Sequence, residues 1–152
     1  MMNFNIIAVG RMKPGPLKNI WDEYQKRLWW RVTIKEVAEK NDFGKNEMRK
    51  REAKLLRANI AQGFPVIAMD QRGQTFTSEK FSDCINDFQS NGYNHLNFLI
   101  GGSNGLEKTI LESCQLTLSM GLMTWPHMLA RIMLIEQIYR SQCILNNHPY
   151  HK

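Results

Sequence analysis

Asn97-Phe98-Leu99-Ile100-Gly101-Gly102-Ser103-Asn104-Gly105 is the stretch on which the fold turns. A short apolar run stops at a pair of glycines, and the residues after Gly105 lead into a helix that reaches about Cys114. An apolar run bounded by turn residues reads as a strand covered on both faces, the kind that parallel sheets contain. A strand feeding a helix through a tight glycine turn is one unit of a βα repeat.

Working outward, the same unit recurs. Asn3–Val9 is β-rich and ends at Gly10; Pro16 then opens a helix whose Leu17, Ile20, Trp21, Tyr24 and Leu28 share one face. Val32–Ala38 reads as the next strand. Asn46 caps a basic helix from Glu47 to about Gln62, stopped by Gly63 and Pro65. Val66–Asp70 is a short buried strand ending in a turn at Gln71-Arg72-Gly73-Gln74, and Ser78 caps a helix to about Ser90. Downstream of the glycine turn come a strand at Leu116–Ser119 and a final helix from Pro126 to about Leu145, with Leu129, Ile132, Met133, Glu136, Tyr139, Arg140 and Cys143 at helical intervals. About five strand–helix alternations predict a single α/β domain over residues 1–152, a mostly parallel sheet with helices on both faces. Ligands of such sheets sit at the carboxyl ends of the strands. Three loops qualify: after Asp70, at Gly101–Gly105, and at Gly121–Pro126.

Composition narrows the function. The chain has 20 Lys+Arg against 14 Asp+Glu, and 43% of its 152 residues are hydrophobic, which excludes a mostly disordered chain. Residues 1–60 hold 14 basic and 7 acidic side chains (+7), and residues 61–152 hold 6 and 7 (−1). A one-sided basic field favours a polyanion, nucleic acid first; the plain alternative is a solvated basic face. On this reading the basic part, Lys45 and Arg49 included, docks RNA, and the near-neutral remainder carries the small-ligand loops. Cys84, Cys114 and Cys143 form no C-x-x-C pair, and His148 and His151 have no third ligand near them, so no metal site is expected. Met1–Ile7 lacks a cationic n-region, and Leu116–Ile135 is interrupted by Pro126, His127 and Arg131; a cytoplasmic protein with no membrane segment is expected.

The loops carry the chemistry. Gly101-Gly102-Ser103-Asn104-Gly105 lets backbone come close to a ligand, or it is simply a tight turn; it is not the dinucleotide fingerprint G-x-G-x-x-G. Gly121-Leu122-Met123-Thr124-Trp125-Pro126-His127 is too apolar for an open surface, so it is core or the wall of a ligand pocket. His127, just inside a helix start, has a lowered tendency to protonate. Glu136 and Arg140 read as an ion pair four residues apart, while Arg131 and Arg140 are also candidates for phosphate contact. The end of the chain, His148-Pro149-Tyr150-His151-Lys152, combines imidazoles, a phenol and a cation that can stack on a base and bond to it.

Together, Leu99–Leu106, Leu122–His127, Arg131 with Glu136-Gln137-Ile138-Tyr139-Arg140, the opening Ile7–Lys13 and the terminal Asn147-His148-Pro149-Tyr150-His151 resemble the ribosomal RNA large subunit methyltransferase H family of the SPOUT superfamily. The resemblance runs over essentially the full length. It implies a C-terminal trefoil knot, a homodimer, S-adenosylmethionine as cofactor, and methylation of N3 of a pseudouridine in large-subunit ribosomal RNA. It places the cofactor against Met69, against Gly101 and Gly102, and along Gly121, Leu122, Met123, Thr124, Trp125 and Pro126. It makes Tyr150, His151 and Lys152 candidates for holding the RNA base. Asn104 stands where several relatives have an acidic residue, Trp125 where an aliphatic one is common, and Lys152 where arginine occurs.

N3 of pseudouridine must lose a proton, so a base is needed. The residues offer His127 and His151; the expectation is His151 or Tyr150 at the base, with His127 supporting the cofactor loop. The rival from another class is a non-catalytic RNA- or ribosome-binding module built on the basic first 60 residues. A dinucleotide oxidoreductase and a class I methyltransferase lack their glycine signatures here.

Overall fold

Side-chain alternation along the first strand sets the layers. In β1 (Asn3–Val9), Phe4, Ile6 and Ala8 enter one core and Ile7 and Val9 another. β4 (His95–Ile100) does the same, with Leu96, Phe98 and Ile100 on the first side and Leu99 on the second. These two strands lie at the centre of the sheet, so each must bury both faces. The computed structural model, which describes residues 1–152, contains three further strands, β2 (Arg31–Val37), β3 (Val66–Thr75) and β5 (Leu116–Ser119). The order is β2-β1-β4-β3-β5, with every pair parallel. The expected α/β class is therefore what the chain adopts.

The helices alternate faces as the chain reverses its direction across the sheet, the arrangement that a constant crossover hand imposes. Trp21 of α1 (Pro16–Arg27), Phe81 and Ile85 of α3 (Ser78–Ser90), and Leu134, Ile135 and Ile138 of α5 (His127–Leu145) fill the first core. Phe98 anchors it, with Phe4 and Phe81 each 6.2 Å away between ring centroids. Ala53 and Leu56 of α2 (Lys45–Ala58) and Ile110 of α4 (Lys108–Glu112) fill the second.

Several local expectations change. Thr77, rather than Ser78, caps α3: its hydroxyl accepts from the Lys80 amide at 3.0 Å, and the Ser78 hydroxyl instead donates to Gln137 on α5. α2 starts behind Gly44, two residues before the expected helix start at Glu47, and the Asn46 side chain accepts from Arg49 instead of capping. β3 does not stop at Asp70. Asp70–Gly73 bulge out, and the strand resumes its pairing with β5 at Gln74 and Thr75. Gly73 is required there, because a Cβ would run into the Thr117 carbonyl. α5 buries a different face from the one expected: Arg131, Leu134, Ile135, Ile138, Ser141 and Gln142, three or four residues apart, are buried together with Tyr139 and Cys143, whereas Leu129, Ile132, Met133, Glu136 and Arg140 are only half-buried.

On the second face, Asn5 and Asn97 sit opposite each other in the β1–β4 register. Asn97 Oδ1 accepts from Asn5 Nδ2 (3.0 Å) and from the Ala61 amide (2.9 Å), while Asn97 Nδ2 donates to the Ala61 carbonyl (3.0 Å). This buried amide pair fixes the chain between α2 and β3, and so fixes where α2 stands over the sheet.

Candidate active site

The three loops singled out in the sequence converge. A cavity of about 540 Å³, within the range of small-molecule sites, opens over the carboxyl ends of β3, β4 and β5. Met69 and the Asp70–Arg72 bulge line it from the end of β3, Gly101 and Gly102 from the turn after β4 on one side, and Gly121, Met123, Thr124 and Trp125 form the wall after β5 on the other. The Thr124 hydroxyl donates to Gln71 Oε1 (3.0 Å), joining the loop after β5 to the β3 bulge, and Trp125 Nε1 donates to the Met120 carbonyl (3.2 Å). Gly121, at φ 112°, makes the turn that starts this wall. Of the residues expected to hold a cofactor, Leu122 and Pro126 do not line the cavity. Leu122 is 89% exposed, so the apolar loop is not buried core: it presents Met123 and Trp125 to the cavity and Leu122 to solvent.

His127 lines the same cavity from the first turn of α5. Burial, followed by the Arg131 charge, lowers its pKa, so the ring stands neutral near neutral pH and can accept a proton.

Arg131 is fully buried and cannot reach RNA, which corrects its expected role as a substrate contact. Its Nη1 donates to Glu36 Oε2 (2.6 Å), and its Nη2 to the carbonyls of Val9 (3.0 Å) and Gly10 (2.7 Å). Glu36 Oε2 also accepts from the Met12 amide (2.6 Å). Burial pushes the Glu36 carboxyl up, but the Met12 amide and Arg131 outweigh it and hold the pKa below the usual value. This node ties α5 to the ends of β1 and β2.

The C-terminal residues lie elsewhere. Tyr150 donates to Glu136 Oε1 (2.9 Å), stacks edge-on against Tyr139 and lies under the Arg140 guanidinium. Burial, Tyr24 and Glu136 all raise its pKa, so in this arrangement the phenol is a donor and not a proton acceptor. Arg140 meets Glu136 Oε1 at 2.5 Å and His151 Nδ1 at 3.0 Å, and His151 Nε2 meets Glu79 at 2.8 Å. With Arg140 donating, His151 accepts on Nδ1 and gives its Nε2 proton to Glu79. Glu136 lies nine residues along α5 from His127, roughly 13 Å of helix rise. One chain therefore brings His127 to the cavity and leaves Tyr150 and His151 about that far away, while Lys152 ends exposed.

Lys45 and Arg49 also line the cavity, which breaks the expected division between a basic docking half and a neutral ligand half. One residue of this face was not singled out in the sequence: Glu52, one turn further along α2. It is 6% exposed, its Oε1 has no hydrogen-bond partner, and burial with no compensating cation raises its pKa. A buried glutamate inside a helix as charged as Lys45–Ala58 gives no sequence signal. The Asp70–Gly73 bulge was likewise hidden behind residues that read as a turn.

Comparison with known proteins agrees with this architecture. A family model described as "Predicted SPOUT methyltransferase" matches residues 2–151. The chain belongs to the SPOUT methyltransferase family. Two curated relatives are both named ribosomal RNA large subunit methyltransferase H. The one from Rhodospirillum centenum is 42% identical over 151 residues and the one from Clostridium perfringens (strain ATCC 13124) 40% identical over 159, covering 99% of this chain and 99–100% of theirs. A solved structure, titled as a probable methylase family protein from Haemophilus influenzae, superposes with a TM-score of 0.59 at 11% identity over 99% of this chain and 71% of that one, which is a likeness of fold.

Proposed function

We propose that this chain transfers a methyl group from S-adenosylmethionine to N3 of a pseudouridine in large-subunit ribosomal RNA, acting as a cytoplasmic homodimer on the assembled ribosome. The observation that carries the reading is the convergence of the three strand-end loops on one cavity, in a chain whose full-length relatives are named as large-subunit ribosomal RNA methyltransferases. The cavity fits the cofactor. Met69, Leu118, Met123 and Trp125 supply an apolar wall for a purine, glycines allow close backbone approach, and Lys45 and Arg49 offer charge at the other end. When bound, S-adenosylmethionine supplies an electrophilic methyl.

The chain's own residues align, exclude water and take a proton. His127 stands at the cavity as a neutral imidazole and accepts the N3 proton, while Tyr150 and His151 offer ring surface and Lys152 its charge to hold the base. This reverses the roles expected from the sequence, because Tyr150 is committed as a donor to Glu136 and both His151 nitrogens are engaged. The distance along α5 between His127 and the C-terminal residues supports a dimer in which a second copy brings those residues to the cavity. A groove lined by Ile20 and Tyr24 of α1 and by Ile132 and Met133 of α5, with Ile20 42% exposed, is the apolar face such a dimer would cover. The path of the chain supports the knot: it leaves edge strand β5, crosses the sheet's carboxyl end and anchors α5 at β1 and β2 through Arg131. No helix is long and apolar enough to cross a membrane.

Mass mapping of ribosomal RNA from cells lacking this chain tests the reading. One N3 methyl should disappear from a single pseudouridine of the large subunit and return on complementation. A loss at another base, or no loss, overturns the substrate assignment.

A further inference from the structure

Lys45, Arg49 and Glu52 are spaced i, i+4, i+7, which stacks them on one face of α2. The first two line the cavity, and the third lies deeper, with Oε2 3.6 Å from where a Cβ on Gly102 would stand. Gly102 lines the cavity, and Val9 behind it leaves no room for a side chain, so only glycine keeps the lining this thin in front of the carboxylate. Arg49 bonds only to the neutral Asn46 amide oxygen, and Lys45 has no carboxylate partner. Elsewhere on α2, Arg51 pairs with Glu47, and at the cavity rim Arg72 is paired with Asp70. Glu52 Oε1 is hidden from water without a partner, which is costly for a carboxylate, and two unpaired cations one and two turns away on the same face do not reach it. Glu52 does not itself line the cavity but stands directly behind Gly102, which does; two cations along the lining and an acceptor just behind it complement a group with an anionic and a cationic end a few ångströms apart.

We propose that this stripe of α2 recognises an α-amino acid zwitterion, Lys45 and Arg49 taking the carboxylate and Glu52 the ammonium. Resting on the S-adenosylmethionine reading, it assigns the cofactor's amino acid end to α2 and leaves the nucleoside to the strand-end loops. Lys45 and Arg49 are then ligand contacts rather than RNA contacts.

Calorimetric titration of the full chain with three ligands tests this. S-adenosylmethionine and S-adenosylhomocysteine carry the amino acid group; 5′-methylthioadenosine keeps the nucleoside and lacks it. Glu52→Gln and Arg49→Gln should each weaken the first two ligands about tenfold or more and change 5′-methylthioadenosine by less than about twofold. The melting temperature of ligand-free Glu52→Gln should hold or rise, since an unpaired buried charge is removed; Arg49→Gln, at the surface, keeps the test open if Glu52→Gln misfolds. Equal losses for all three ligands, or none, overturn the zwitterion site alone. A wild-type chain that binds none of the three overturns the cofactor reading and this proposal with it. If wild-type affinities persist but Arg49→Gln weakens only ribosome binding, Arg49 belongs to RNA and the proposal fails.

Discussion

Two sets of charges hold the ends of this sheet, and they are built in opposite ways. At Arg131, three hydrogen bonds join α5 to β1 and β2, a fourth runs from the Met12 amide to Glu36, and only Arg131 Nε is left without a partner. At Lys45, Arg49 and Glu52, the charges stand beside the cavity without partners of opposite sign. A buried charge paired with its opposite fixes the fold, and charges left without such a partner store recognition. Exposure alone does not separate them, since Arg131 and Glu52 are both buried; a partner of opposite charge, which Arg131 has in Glu36 and Glu52 lacks, does.

The largest expected effect tests that contrast. Arg131→Leu strands Glu36 and the Val9 and Gly10 carbonyls and should cost about 3 kcal/mol, whereas Arg49→Gln should change stability by less than about 0.5 kcal/mol. Urea unfolding at neutral pH reads both, and similar losses would erase the distinction. Next in size, Tyr150→Phe removes the O–H that ties the chain end to Glu136 and should cost about 1 kcal/mol, seen as a lower melting temperature and faster carboxypeptidase trimming.

Acid sharpens the picture further. The folded Glu36 pKa lies below its ordinary 4.5, so the stability it contributes is present above that value and is lost as pH falls through the lowered one. Denaturant midpoints between pH 5 and 3 should fall in the wild type and fall less steeply in Glu36→Gln. The smallest effect concerns His127. Its folded pKa is lowered from 6.5, so protonation favours the unfolded chain and stability declines as pH drops below about that value. In His127→Asn the decline should be shallower but not absent, because His95, lowered by burial and by Lys35, contributes in the same sense.

The strands were legible because central parallel strands are apolar on both faces, and Phe98-Leu99-Ile100 cannot be read otherwise. The three loops were legible because glycine and proline punctuate strand ends, and they line one cavity. What escaped was set by tertiary contact. Nothing local marks Asp70–Gly73 as a bulge, because its partner is β5, more than forty residues on. Arg131 reads as a free cation until Glu36 is folded against it, and Glu52 reads as solvated until α2 packs beside the Gly102 turn. Helix starts moved by one or two residues because capping depends on which nearby hydroxyl or amide α5 or Arg49 claims first.

The most direct measurement is transfer of a labelled methyl from S-adenosylmethionine to ribosomes purified from cells lacking this chain, using wild type and His127→Asn under single-turnover conditions. The account predicts one methyl per ribosome with the wild type. It also predicts a loss of at least about a hundredfold in rate for His127→Asn, with cofactor affinity within about threefold. No incorporation by the wild type, or an unimpaired rate in the variant, would contradict it.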